Sequence, residues 1–99
     1  MSIEEIKCFV NNIDGWLKDE EGELLFRLAK QCTNRGAIVE IGSWKGKSTI
    51  WLANGSKAGH QAKVYAVDPH TGSYEHHRWL GSVWTFHELQ KNLATAGVA

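Results

Sequence analysis

The stretch EIGSWKGKST, Glu40 to Thr49, decides how the rest of the chain is interpreted. It follows a short aliphatic run, has glycines at positions 42 and 46, and leads into the helical pattern KSTIWLA at 47–53. A glycine loop between a strand and a helix is typical of α/β proteins, which bind ligands at the carboxyl edge of a parallel sheet. The stretch therefore predicts a strand–loop–helix unit that binds a ligand.

The sequence on both sides of the loop predicts alternating helices and strands. Two runs that are β-branched and nearly continuously apolar predict parallel strands covered on both faces, AIVEIG at 37–42 and KVYAVD at 63–68. Helical spacing predicts helices near residues 3–12, 18–32, 47–53 and 86–95. We expect Asn54-Gly55-Ser56 to end the third helix and Gly97 to end the last.

These elements predict a fold of the α/β class. It is a partial Rossmann-like unit (helix, strand, helix, strand, helix) in three layers around a parallel sheet. Such sheets have about four to six strands, so we expect this one to be truncated before its third strand.

Composition excludes several classes of protein. The chain has 99 residues, which predicts one domain at most, and its eleven basic and eleven acidic side chains cancel. Nucleic-acid binding is not expected without a basic excess. No apolar run approaches the roughly 18 residues of a membrane span, and MSIEEIKCFV lacks the features of a secretion signal. We therefore expect a cytoplasmic protein that does not bind membranes.

Several side chains are expected in the core. Cys8 and Cys32 lie in predicted helices at no metal-binding spacing, so we expect them to be reduced and buried. Trp16, Trp51 and Trp84 lie at element starts or in apolar stripes and are also expected to be buried.

Two phosphate-binding motifs fit the loop poorly. Gly42 and Gly46 are one residue closer together than the nucleotide triphosphatase pattern GxxxxGK[ST] requires, although the ending GKS matches. The dinucleotide pattern GxGxxG needs a middle glycine, and Ser43-Trp44 provides none.

The acids that end the two strands favour a cofactor without phosphates. Glu40 would repel a phosphate but would suit an ammonium or sulfonium group. Asp68 ends the second strand, where a carboxylate can accept hydrogen bonds from both hydroxyls of a ribose.

At these residues the chain resembles a known family. VEIGSWKGKST (39–49) and VYAVDPHTGS (64–73) resemble motif I and the following acidic motif of class I S-adenosylmethionine-dependent methyltransferases. The similarity is greatest to the small-molecule and sugar O-methyltransferase-like group, which WTFHELQKNLATAGV (84–98) also resembles. The resemblance spans roughly residues 15–99 and implies the N-terminal part of a methyltransferase domain, with a helical lead-in at 1–36 and a cofactor-binding βαβα segment at 37–99.

The resemblance also implies roles for individual residues. Glu40 would face the methionine amino group, Ser48 would help to hold the methionine carboxylate, and Asp68 would hold the ribose. The glycines would let the loop pass close under the cofactor, and Trp44 is expected to pack over the loop. The full set implied to bind S-adenosylmethionine is Glu40, Gly42, Ser43, Trp44, Gly46, Ser48, Asp68, Pro69 and His70.

The catalytic residues stay unknown. In the family, the acid or metal cluster and the substrate-binding segments correspond to positions beyond residue 99. No metal site is expected, because the four histidines that cluster in the C-terminal third lack the spacing of metal ligands; they are His70, His76, His77 and His87.

The expected function is methyl transfer to an oxygen of a small molecule or sugar, with a small-molecule acceptor as partner if the full domain is present. For these 99 residues alone we expect weak or absent cofactor binding and no turnover, and enzymatic activity stays open. One alternative is a non-catalytic fragment or interaction module that forms a homo-oligomer through its open sheet edge. A nucleotide triphosphatase is the other alternative.

Overall fold

The computed structural model describes residues 1–42, 45–67 and 86–98. Within these ranges, helices and strands alternate after an initial helix, as the sequence predicts. The elements are α1 (Ile3–Val10), α2 (Asp19–Gln31), β1 (Ala37–Ile41), α3 (Lys47–Ala58), β2 (Lys63–Val67) and α4 (Phe86–Thr95). The fold is a partial Rossmann-like α/β unit, which confirms the predicted class.

Strands β1 and β2 form a parallel pair. Their register runs from Ala37 opposite Lys63 to Ile41 opposite Val67, so both strands end at the same edge. This edge is the one at which α/β proteins place their ligand sites.

The prediction that both faces of the sheet are covered was wrong for the described residues. One face carries half-buried side chains such as Ile38 and Val64, and α3 packs on it. The other face exposes four large apolar side chains, with Ile41 86% accessible. The reason is that α2 and α1 pack against α3 and so add to the layer that already covers the first face. The exposed side chains are Val39, Ile41, Tyr65 and Val67.

The core lies between the helices. Its fully buried side chains come from α1 and α3, and Trp51 is the largest of them. The prediction that Trp51 is a core residue is therefore confirmed. Close packing of α2 on α3 depends on glycine, because a Cβ atom at Gly22 would lie 2.2 Å from Nε1 of Trp51.

Helix α3 continues past its predicted end. Asn54 donates from Nδ2 to the Ile50 carbonyl at 2.9 Å, and the Ser56 hydroxyl donates to the Ala62 carbonyl. Both side chains are buried, so these bonds satisfy polar groups that would otherwise favour a turn. Gly55 lies against the backbone of Phe26, where a larger residue would not fit. Tertiary packing thus keeps Asn54, Gly55 and Ser56 inside α3, although their types are typical of a helix end.

Three burial predictions were wrong. Trp16 is 73% accessible, and both cysteines are exposed and unpaired in disulfides. Helix α2 faces the core with Gly22, Phe26 and Ala29, while Cys32 follows the last residue of that helix. Helix α1 buries Ile6 and Val10, which leaves Cys8 on its outer side. Trp84 lies outside the described residues.

In the described part of the chain, no helix combines the length and the apolarity needed to cross a membrane.

Candidate functional site

The glycine loop leaves β1 at the carboxyl edge of the sheet. The N–H of Gly42 donates to the carbonyl of Val67 at 2.7 Å, which extends the pairing of β1 and β2 by one bond. Gly42 has φ +88°, a conformation that favours glycine. Among the described residues, a Cβ atom there would meet nothing within 4 Å, so this part of the structure leaves the backbone at Gly42 open to a ligand.

The second loop glycine is constrained from two sides. Gly46 is the N-cap of α3 with φ +96°, and it is buried. A Cβ atom at this position would lie 2.8 Å from Cδ1 of Leu89 on α4. The positive φ and the small space beside Leu89 therefore both require glycine at position 46. Helix α4 limits how closely the loop can approach it.

Glu40 is held by the first turn of α3. The Ser48 hydroxyl donates to one carboxylate oxygen, and the Thr49 hydroxyl donates to the other. Helix α3 has no acidic residue in its own first turn. The Glu40 carboxylate, supplied by β1, therefore puts a negative charge near the positive end of the α3 dipole, where such a charge is stabilised.

The carboxylate of Glu40 has capacity left for a ligand. An ionised carboxylate offers about four acceptor positions, and the two hydroxyls use one on each oxygen. Glu40 is half-buried, so the remaining positions are not lost to the core. This arrangement suits a cationic donor such as an ammonium group.

Ser48 lies where the sequence predicts, at the start of a helix. Its hydroxyl is bonded to Glu40. The first-turn N–H groups of a helix have no acceptor within the helix, so the backbone of α3 offers donors for an anion. The contact of Ser48 with a methionine carboxylate stays a prediction.

Two contacts around the loop were missed from the sequence. Thr49 is 4% accessible and holds Glu40; its place directly after Ser48 in the first helical turn was an available signal. Asn92 of α4 donates from Nδ2 to the Lys45 carbonyl at 2.8 Å. No spacing in the sequence indicates that contact, because 47 positions separate the two residues.

The structure brings together Glu40, Gly42, Gly46 and Ser48 of the predicted site. The other five predicted residues lie outside the described ranges, and their roles stay predictions: Ser43, Trp44, Asp68, Pro69 and His70. His76 and His77 are also outside. Among residues 1–42, 45–67 and 86–98, no group of three or more histidine, cysteine, aspartate or glutamate side chains could hold a metal.

Comparison with known proteins identifies the family. The sequence profile described as "Methyltransferase domain" matches residues 39–98. A solved structure described as cofactor-bound Rv0187 from MTB is 26% identical in sequence, with a TM-score of 0.59. The superposition covers 98% of this chain and 39% of that one, so the chain spans well under half the length of this structural relative.

These matches confirm the resemblance and the predicted cofactor, and they leave the nucleotide triphosphatase hypothesis without support. The family match includes the glycine loop, α3, β2 and α4, which are the elements that build the site. The chain belongs to the methyltransferase domain family, as a partial Rossmann-like unit of the class I type whose cofactor is S-adenosylmethionine.

Proposed function

We propose that this chain carries the methionine side of the cofactor site of an S-adenosylmethionine-dependent methyltransferase. Residues 1–36 form the helical lead-in of the domain, and residues 37–99 form its cofactor-binding βαβα segment. The observation that carries the proposal is the Glu40 carboxylate, held by two hydroxyls of α3 beside a loop with two positive-φ glycines.

The chemistry of the described residues fits the cofactor. The methionine end of S-adenosylmethionine has an ammonium group and a carboxylate. Glu40 can accept from the ammonium group, and the first turn of α3 can donate to the carboxylate. When bound, the cofactor supplies an electrophilic methyl group on a sulfonium centre. The loop residues bind and orient it, which is the main contribution that an enzyme makes to such a displacement.

The methyl acceptor is proposed to be an oxygen of a small molecule or sugar. The support is the resemblance of the loop and of the 84–98 stretch to O-methyltransferases. Deprotonation of that acceptor would need a general base, and none of the described residues is assigned to that role. From the residues described, we therefore expect weak binding of S-adenosylmethionine and no turnover. Transfer of label from methyl-labelled S-adenosylmethionine to a sugar acceptor, above the rate without protein, would contradict this expectation.

The cofactor proposal is tested by titrating the ¹⁵N-labelled chain with S-adenosylmethionine and, separately, with ATP and magnesium. S-adenosylmethionine should shift amide resonances of the loop and of the first turn of α3, residues 42–49. ATP should leave these resonances in place, because Glu40 adds a negative charge where a triphosphate would lie.

Two outcomes would overturn the proposal. Shifts at the loop with ATP alone would indicate a phosphate site. No shift with millimolar S-adenosylmethionine would show that this chain does not bind the cofactor.

A second proposal concerns association, and the exposed sheet face favours it. Val39, Ile41, Tyr65 and Val67 form a contiguous apolar patch, and such patches are often interaction sites. We propose that this patch, with the open sheet edge, pairs two copies of the chain. Light scattering should then give a dimer mass, and Tyr65→Lys should lower it. A monomer mass for the unsubstituted chain at high concentration would contradict the proposal.

A further inference from the structure

We propose that α4 is a brace that sets the conformation of the end of the glycine loop, Lys45 and Gly46, and that Asn92 is a positioning residue for the cofactor. The inference rests on the proposed cofactor site, but the contacts that support it lie in the fold itself. Asn92 is not among the residues expected to touch the cofactor.

The first contact is a hydrogen bond from α4 to the end of the loop. Asn92 donates from Nδ2 to the carbonyl of Lys45 at 2.8 Å. Lys45 immediately precedes Gly46, the N-cap of α3, so its carbonyl belongs to the peptide unit that leads into the helix. Asn92 is half-buried, which shields this bond from competing water.

The second contact is apolar and lies one turn earlier on α4. Leu89 is 5% accessible, and a Cβ atom at Gly46 would meet its Cδ1 atom at 2.8 Å. Leu93 lines the same position at 3.6 Å. The leucines determine how near the loop comes to α4, and the Asn92 amide determines the direction of the peptide unit.

The far end of α4 is also attached to α3. Lys57, near the end of α3, donates from Nζ to the carbonyl of Gly97 at 3.2 Å. Gly97 has φ +75° and follows α4, and the N–H of Val98 closes the helix on the Leu93 carbonyl at 3.0 Å. Helix α4 is thus joined to α3 near both ends and can hold the loop in one place.

The consequence concerns the population of the binding-competent loop. A ligand that binds one loop conformation loses apparent affinity in proportion to the fraction of molecules in another. Without the Asn92 donor, the Lys45 peptide unit can leave its present orientation. Loss of one such hydrogen bond should weaken S-adenosylmethionine binding about three- to tenfold.

The test compares Asn92→Asp with Thr95→Ala. Asn92→Asp keeps the shape of the side chain but removes its N–H donor. Thr95 lies on the same helix, and its hydroxyl donates to the Lys91 carbonyl at 2.8 Å, away from the loop. The readouts are thermal unfolding, amide chemical shifts and exchange rates at 45–49, and the dissociation constant for S-adenosylmethionine.

We expect Asn92→Asp to alter shifts and speed exchange at the loop, to leave core amides such as that of Phe26 in α2 protected, and to raise the dissociation constant three- to tenfold. Thr95→Ala should change neither the loop amides nor the dissociation constant. If Asn92→Asp unfolds, Asn92→Ser takes its place, with a shorter hydroxyl donor. Unchanged loop shifts and exchange in the folded variant would overturn the inference. If the unsubstituted chain does not bind S-adenosylmethionine, the proposed function fails, while the loop shifts and exchange rates still decide whether α4 is a brace.

Discussion

Glu40 connects the two interpretations of its loop that the sequence offered. Its charge is unusual in a loop that ends in GKS, because phosphate loops avoid a carboxylate near the phosphate. In the structure the charge is satisfied by the Ser48 and Thr49 hydroxyls. Ser48 thus contributes to an acidic site. Ser48, which matched the phosphate-loop pattern in sequence, here donates to the carboxylate that we propose binds the ammonium group of the cofactor.

Substitution of the two loop glycines by alanine should lower the free energy of unfolding by different amounts. Gly42→Ala should lower the free energy of unfolding by about 1 kcal/mol, because the positive φ opposes a side chain there while no described residue does. Gly46→Ala adds a clash with Leu89 and should cost a further 1–3 kcal/mol or so. Urea denaturation of the two variants measures the difference. Equal losses would show that Leu89 does not confine the loop.

At the scale of elements, the α2–α3 contact determines whether Gly55→Ala stabilises or destabilises the chain. Gly55 lies inside α3, where alanine is favoured by about 1 kcal/mol on helix propensity. A Cβ atom there would lie 2.3 Å from the Phe26 carbonyl oxygen, which is backbone and cannot rotate away. Gly55→Ala should therefore destabilise the chain by about 1–3 kcal/mol. Gly36→Ala, with open space around it, is the control. A rise in melting temperature for Gly55→Ala would contradict the packing.

Helices α1 and α2 are joined by an ion pair whose contribution depends on pH. Lys7 Nζ lies 2.9 Å from Oε1 of Glu23. This hydrogen bond lowers the pKa of Glu23 from its ordinary 4.5 and raises the pKa of Lys7 from its ordinary 10.5. The Glu23 contribution to stability is therefore present above pH 4.5 and is lost as the pH falls through the lowered pKa. The Lys7 contribution is present below pH 10.5 and is lost as the pH rises through the raised pKa.

Glu23→Gln should be slightly less stable than the unsubstituted chain at pH 7 and equal to it at a pH well below 4.5. Both side chains are near solvent, so the effect should be small and should weaken with salt. Denaturation midpoints at the two pH values provide the measurement, with Glu20→Gln on the same helix as control. A difference that persists in acid would show that the loss comes from packing.

The order of elements was predictable because apolar periodicity reports which face of a segment is buried. The exact end of α3 was not. Asn54-Gly55-Ser56 has the composition of a turn, but its residues are bonded or packed against groups that are distant in sequence, such as Phe26 and Ala62. The end of α4 was predictable, because Gly97 adopts the positive φ that its type favours. The end of α4 is therefore set by local chemistry, and the end of α3 is set by tertiary contacts.

At the scale of the whole molecule, the described helices cover one side of the sheet. The sequence indicates strands buried on both faces, since β1 and β2 are nearly continuously apolar, yet Val39 and Ile41 are exposed. Burial predicted from the sequence thus exceeded the burial that is seen in residues 1–42, 45–67 and 86–98.

The candidate site was predictable in part for a related reason. Glu40, Gly42, Gly46 and Ser48 lie in one continuous stretch, so their spacing alone indicated a shared site. Thr49 lies within the same stretch, but the GKS ending indicates only Ser48 as a hydroxyl at the helix start. Asn92 and Leu89 reach the loop only through the packing of α4, which no local pattern encodes.

In the proposed function, Glu40 recognises the amino-acid end of S-adenosylmethionine. The most direct measurement compares dissociation constants of the unsubstituted chain and Glu40→Gln for S-adenosylmethionine and for 5′-methylthioadenosine, which lacks the amino-acid part. Glu40→Gln should weaken S-adenosylmethionine binding about tenfold or more, as expected for a lost charged hydrogen bond. It should leave 5′-methylthioadenosine binding unchanged. Equal losses for both ligands, or no loss for either, would contradict the assignment.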